Sequence, residues 1–383
     1  MTEGDRPLAG IRVVEFSHMV MGPSIGVILA DLGADVIKVE PEGGDRTRQL
    51  LGSGAGYFPM FNRNKRSICL DLKSERGLRI ARKLTARADI VIENFRPGTL
   101  DRLGLGYDVL GKDNPRLIYC SAKGFLTGPY ENRTALDEVT QMMGGLAYMT
   151  GPPGRPLRAG SSVVDIAGGM FGVIGVLAAL ERRHRTGKGA ELKCALYETT
   201  AFLVGQHMAQ KAVTGEPAQP MPVRVPAWAI YDVFETARPG EQLFVGVVSD
   251  SQWVVFCDAF NLTELSKAPE LADNNQRVLS RDVILPQVSM LFASMTREAL
   301  VEKLESLGLP FAPIARPDEL FDDPHLVQSD GLIEVTLPDG NKTRLPGLPI
   351  EIDGARMGLR RDIPTVDQDI EIVLAELGET TKA

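Results

Sequence analysis

The chain has 383 residues, enough for two domains with sizeable cores, and 42 lysines and arginines against 50 aspartates and glutamates give a net charge of −8. That balance removes the electrostatic basis for binding nucleic acid or an anionic membrane surface, and 44% hydrophobic with 24% charged residues excludes a disordered chain. The 39 glycines and 25 prolines exceed the usual share, so they must serve particular turns, caps and close approaches.

Residues 1–6 carry acids and no apolar run, so no secretory leader is expected. Cys69, Cys120, Cys194 and Cys257 form no C-x-x-C pair, and His18, His184, His207 and His325 share no ligand spacing. Reduced thiols, a cytoplasmic location and no metal site follow as expectations. Residues 11–16 read as a strand, 22–34 as a helix with Ile25, Ile28, Leu29 and Leu32 on one face, and 35–40 as the next strand. An amphipathic helix over 74–88, a strand over 89–95, a short helix from Thr99 and a strand over 116–121 continue the alternation. This pattern predicts an α/β fold whose large, Rossmann-like domain is built on a parallel sheet. The apolar run 166–180 holds four glycines and is 15 residues long, short of the ~20 needed to cross a bilayer, so it reads as a buried helix and no membrane partner is expected. After a strand over 191–197, the proline-rich stretch 215–222 reads as a linker. The large domain is therefore expected over 1–215 and a smaller α+β domain over 216–330, with a hairpin (229–236 and 242–248) and helices over 250–260 and 296–307. Residues 331–383, with a second hairpin and an acidic helix over 366–377, are expected to return to the large domain.

Glu40 ends the second strand where dinucleotide-binding folds place a ribose-binding acid, but Ser17-His18-Met19-Val20-Met21-Gly22-Pro23 stands in place of the G-x-G-x-x-G turn, so no nicotinamide or flavin site is assigned. Asp165 precedes the apolar helix and would face its free N–H groups and dipole. It reads either as an N-cap or as a carboxylate nucleophile held ionised at the junction. Gly168, Gly169, Gly172 and Gly175 would let another backbone or a ligand approach this helix closely. Asp137 likewise reads as a helix cap or as an acid that orients substrate or receives a proton. Asn94-Phe95-Arg96-Pro97-Gly98 lies at the C-terminal end of a predicted strand, where open α/β sheets bind ligands, and Lys73, Arg96, Arg102 and Lys123 lie in or near loops suited to phosphates.

Together, Asn94-Phe95-Arg96-Pro97-Gly98, Arg185-Thr186-Gly187-Lys188-Gly189, Gly22-Pro23 and residues 7–13, 31–40, 62–67 and 114–119 resemble the family III CoA-transferases, which include formyl-CoA:oxalate and carnitine CoA-transferases and the related 2-methylacyl-CoA racemases. The resemblance implies a large domain built from both chain ends, a small middle domain and an interlocked homodimer. It implies Asp165 as the nucleophile, passing through a mixed anhydride and an aspartyl-CoA thioester, with no permanently bound cofactor and with acyl-CoA and small carboxylates as substrates. It places CoA contacts on His18, Val20, Met21, Leu70, Lys73, Asn94, Phe95, Arg96, Arg102 and Lys123, and an acid lining the site on Asp137. Pro41 stands where some relatives have an arginine. The racemases carry a histidine just before the position of Asp137; here Leu136 cannot move a proton, which favours CoA transfer over α-proton exchange, while Asp165 argues against a non-catalytic CoA-binding protein. Arg48 or Arg133 is the expected clamp for a second carboxylate, so the expected substrates are succinyl-CoA and a C4 or C5 dicarboxylate.

Overall fold

Short apolar runs bounded by turn residues become strands buried on both faces when helices cover the sheet. In the computed structural model, which describes residues 3–380, the first such run is β1 (Arg12–Phe16), followed by α1 (Met21–Asp31), β2 (Asp35–Glu40), α2 (Tyr57–Phe61), β3 (Lys65–Cys69), α3 (Glu75–Ala86), β4 (Ile90–Glu93), α4 (Tyr107–Asp113) and β5 (Ile118–Lys123). Three helices, α5 (Asp137–Met143), α6 (Leu146–Thr150) and α7 (Val163–Thr186), then lead to β6 (Ala190–Ala195), and α8 (Leu196–Leu203) and α9 (Gly205–Thr214) follow. All six strands pair in parallel in the order β3-β2-β1-β4-β5-β6. The order reverses between β1 and β4, which opens a crevice beyond their C-terminal ends. One face of the sheet packs on α1 and α7 through Ile25, Leu29, Val173 and Val176, and the other on α3 through Ile80 and Leu84.

Strand β3 has no counterpart among the strands expected from the sequence. Its Lys65 and Arg66 break the apolar pattern, and both are buried because partners await them: Glu15 lies 2.8 Å from Lys65, and Asp35 and Glu376 each lie 2.6 Å from Arg66. The outer edge of β3 is closed by the end of the chain. Asp369 accepts from the Ser67 N–H and donates its own N–H to the Ser67 carbonyl, both at 2.9 Å, and Asp367 accepts from the Cys69 N–H at 2.6 Å. The helix Ile370–Glu376 then inserts Val373 and Leu374 into the core beside Val14 and Ile80.

Helix α7 is 24 residues long rather than 15, and one 18-residue window makes it apolar and long enough to cross a membrane. Here it packs against α1, β5 and β6. Its glycines permit that approach: a Cβ on Gly169 would stand 2.1 Å from Ser24 Oγ, and one on Gly172 2.6 Å from Ile25 Cδ1. The chain divides into two compact units, Val223–Leu320 and the flanking remainder, so the proline-rich stretch and the helix Pro324–Gln328 fall with the large unit. Within the smaller unit, Tyr231–Glu235, Gln242–Gly246 and Phe311–Pro313 form an antiparallel sheet, packed on helices through Phe234, Phe256, Phe260 and Phe292.

Candidate active site

After Phe16 the chain must turn sharply to enter α1 at Met21. The turn holds Met19 at φ 64°, a conformation a side chain rarely adopts, so the surrounding structure has to impose it. Asn94, just past β4, does so through its side chain: Oδ1 accepts from the His18 N–H at 3.0 Å and Nδ2 donates to the His18 carbonyl at 2.7 Å. From below, Lys38 donates to the Ser17 carbonyl at 2.7 Å. Lys38 is buried between Glu15 at 3.4 Å and Asp45 at 3.1 Å. Burial pulls its pKa down, but the two acids outweigh that and leave it raised; for Lys65 burial wins, drawing the ammonium down to about 8.

The turn forms one wall of a cleft of ≈ 840 Å³ over the ends of β1 to β4, with Phe16, Val39, Leu70 and Phe95 as apolar lining and His18 and Lys73 among the polar groups. That volume suits a cofactor-sized ligand. Burial lowers the pKa of His18, so its ring is neutral at pH 7. Glu40 is not available to a ribose. It accepts from Arg48 at 2.6 and 2.8 Å, from Ser67 Oγ at 2.6 Å and from the Asp45 N–H at 2.7 Å. The same contacts correct the expectation for Arg48, whose guanidinium is spent on Glu40 and the Pro364 carbonyl and lies over the Phe58 ring, and so cannot clamp a substrate. Arg133 is exposed and lies over the Tyr130 ring.

Asp165 stands inside the first turn of α7, not ahead of it, and Ser162 at the N-cap makes no side-chain bond. The cap comes from another helix. Asp137, the buried first residue of α5, accepts through Oδ2 from the N–H groups of Val164 (2.9 Å) and Asp165 (3.1 Å), and through Oδ1 from Gln141 Nε2 (2.6 Å). Gln141 Oε1 in turn accepts from the Ala159 N–H at 2.8 Å. The N-cap reading of Asp165 is thereby corrected, and Asp137 acts as a cap, although of α7 rather than of its own helix. Because Asp137 takes these N–H groups, and none of the described residues donates to the Asp165 carboxylate, the helix terminus does not hold Asp165 ionised. Burial, then the charge of Asp137, push its pKa up to about 7 against the pull of Arg158. Arg158 was invisible to sequence reasoning, since nothing separates it from Arg155 in the same loop.

Of the ten residues expected to contact CoA, His18, Leu70, Lys73 and Phe95 line the cleft, as does Pro41. Asn94 acts on it through His18. The side chains of Val20 and Met21 are instead buried, 1% and 4% exposed, because α1 must pack on α7 there; a Cβ on Gly168 would stand 2.8 Å from Met21 Cε. Arg96 and Lys123 border a separate depression of ≈ 220 Å³, where Lys123 is held by Glu93 at 2.6 Å and the Phe95 carbonyl at 2.8 Å. Arg102 reaches Thr99 Oγ1 at 3.5 Å. Asp165 and Asp137 line neither space; Ile166, next to Asp165, packs into the apolar cluster of Val20, Val27 and Phe61, of which Val20 follows the turn directly. Among the described residues no group of three or more histidines, cysteines and acids is placed to hold a metal ion.

Residues 8–370 match the family described as CoA-transferase family III. A succinate–glutarate CoA-transferase of Agrobacterium fabrum is 35% identical over 391 residues, covering 97% of this chain and 96% of that protein. A succinyl-CoA:glutarate CoA-transferase of Mus musculus is 32% identical over 379 residues, covering 97% and 86%. Among solved structures, a CaiB/BaiF family protein from Brucella suis superposes with a TM-score of 0.83 at 34% identity, covering 97% of this chain and 99% of that one.

Proposed function

Because the chain belongs to CoA-transferase family III and is an enzyme that moves CoA between an acyl-CoA and a carboxylic acid, we propose that Asp165 is its nucleophile, succinyl-CoA its donor and a C4 or C5 dicarboxylate its acceptor. The observation that carries this reading is the Asp165 carboxylate, partly buried at the start of α7 with a pKa raised to about 7 and no hydrogen-bond donor to it among the described residues. Such a carboxylate is poorly solvated, so its ionised form meets an electrophile without first shedding strong hydrogen bonds. Asp165 attacks the thioester carbonyl, the C–S bond breaks, and a mixed anhydride and CoA thiolate result. The thiolate attacks the aspartyl carbonyl and expels the donor acid, leaving an aspartyl-CoA thioester. The acceptor carboxylate then attacks that thioester, releasing the thiolate and forming a second mixed anhydride. The thiolate attacks the acceptor's carbonyl, which gives the new acyl-CoA and returns Asp165 to a carboxylate. The dicarboxylate preference rests on the names of the two relatives above.

Leu136, 58% exposed beside Asp137, has no proton to exchange, which supports transfer over racemisation. A homodimer belongs to the same proposal. Met170 and Ile174 of α7, Phe202 of α8 and Met208 of α9 are all exposed, an apolar surface of the kind subunits cover. A panel of acyl-CoA donors and acids followed by mass spectrometry, with a parallel assay of α-deuterium exchange, tests the chemistry. Transfer without exchange is expected, with the aspartyl-CoA intermediate found on the Asp165 peptide; exchange without transfer would overturn it. Light scattering on the purified protein reads the oligomeric state.

A further inference from the structure

An enzyme that prefers dicarboxylates needs a cation near its nucleophile; of the two arginines expected from the sequence, Arg48 is spent on Glu40 and Arg133 lies over the Tyr130 ring. Arg158 is differently placed. Its Nε donates to the Ala159 carbonyl at 3.2 Å and its Nη2 to the Ser161 carbonyl at 3.0 Å, two bonds within its own turn that fix the plane of the guanidinium. Its ion pairs are loose: Asp137 Oδ1 lies 3.4 Å away and Glu138 Oε2 4.0 Å, and the side chain is 34% exposed. Asp137 does not depend on it, since Gln141 and two backbone N–H groups already satisfy that carboxylate. Arg158 thus presents a fork with uncommitted N–H donors, and Asp137, which bonds the Asp165 backbone, is its neighbour.

We infer that Arg158 is a specificity-determining residue, whose guanidinium receives the distal carboxylate of the acyl group while Asp165 engages the thioester. The inference rests on the dicarboxylate reading of the preceding subsection. A planar fork binds a carboxylate in two parallel hydrogen bonds, whereas an ammonium offers a point charge, so lysine should replace it only in part.

The test compares succinyl-CoA with butyryl-CoA, its near-isostere lacking the second carboxylate, in wild-type enzyme, Arg158→Lys and Arg158→Gln. Wild type is expected to favour succinyl-CoA in kcat/KM. Assayed above about pH 8, where loss of the Arg158 charge does not deplete the ionised Asp165, Arg158→Gln should lose about 30-fold or more toward succinyl-CoA, mostly in KM, and less than about 3-fold toward butyryl-CoA, with Arg158→Lys between wild type and Arg158→Gln. Equal losses toward both donors, as from a loop that merely sags, would overturn the inference and leave the dicarboxylate reading intact. A wild-type enzyme with no preference for succinyl-CoA would overturn both. If Arg158→Gln fails to fold, the selectivity of Arg158→Lys alone decides.

Discussion

Replacing Asp165 by asparagine keeps the shape of the side chain and removes its charge, which separates reactivity from the cost of burying a carboxylate. The folded protein lifts this carboxyl from 3.8 to about 7. At roughly 1.4 kcal/mol for each tenfold change in proton affinity that is about 4 kcal/mol, which we halve to about 2 kcal/mol because the side chain is partly exposed to solvent. The folded-state value lies above the unfolded one, so the native state holds the proton more tightly and this group lowers stability as pH rises. The penalty is slight below about pH 4, grows through neutrality and is complete above about pH 8. Asp165→Asn should therefore unfold a few degrees above wild type at pH 8, with the gap closing towards pH 4, while CoA transfer falls by about 10³-fold or more. Thermal melts by circular dichroism across this range, beside a CoA-transfer assay, provide the reading. A gap that stays constant with pH, or a variant less stable than wild type at pH 8, would refute the burial argument; substantial retained transfer would refute the nucleophile.

Asp137→Asn removes the like charge facing Asp165, so the acid limb of the kcat/KM profile should move to lower pH, with about 1–2 kcal/mol of stability lost from the weakened cap. Lys38→Met leaves Asp45 without its ion-pair partner and Glu15 with Lys65 alone, and frees the Ser17 carbonyl; a loss of about 3–5 kcal/mol is expected in urea unfolding, together with a raised KM for acyl-CoA as the cleft wall loosens. Gly169→Ala forces a methyl group to within 2.1 Å of Ser24 Oγ and 3.1 Å of the Met21 carbonyl, and should cost about 1–3 kcal/mol, read as a lower urea midpoint.

The parallel sheet was legible in the sequence because β1, β2 and β4 carry apolar pairs bounded by turns, and all of them are buried. Strand β3 was not, because its lysine and arginine are satisfied by partners up to 310 residues away, and no local pattern encodes such a partner. Asp165 was found as a candidate, yet its electrostatics were misread: a carboxylate 28 residues upstream had already taken the helix donors assigned to it. Val20 and Met21 show the same limit. A motif marks where the chain turns towards a ligand, while packing of α1 on α7 decides which side chains point into the core.

The closure of β3 by the end of the chain also sets a timetable. During synthesis Ser67 waits for Asp369, 302 residues later, which at a ribosomal rate of about 5–20 residues per second is roughly 15–60 s. Throughout that interval the strand offers open N–H and C=O groups to any neighbouring nascent chain. Residues 223–320, whose core is self-contained, can fold in the meantime. Yield in the cell should thus be sensitive to translation speed and to chaperones that shield strand edges, and a chain stopped before residue 367 should aggregate even though Asp165 and the cleft residues are all present.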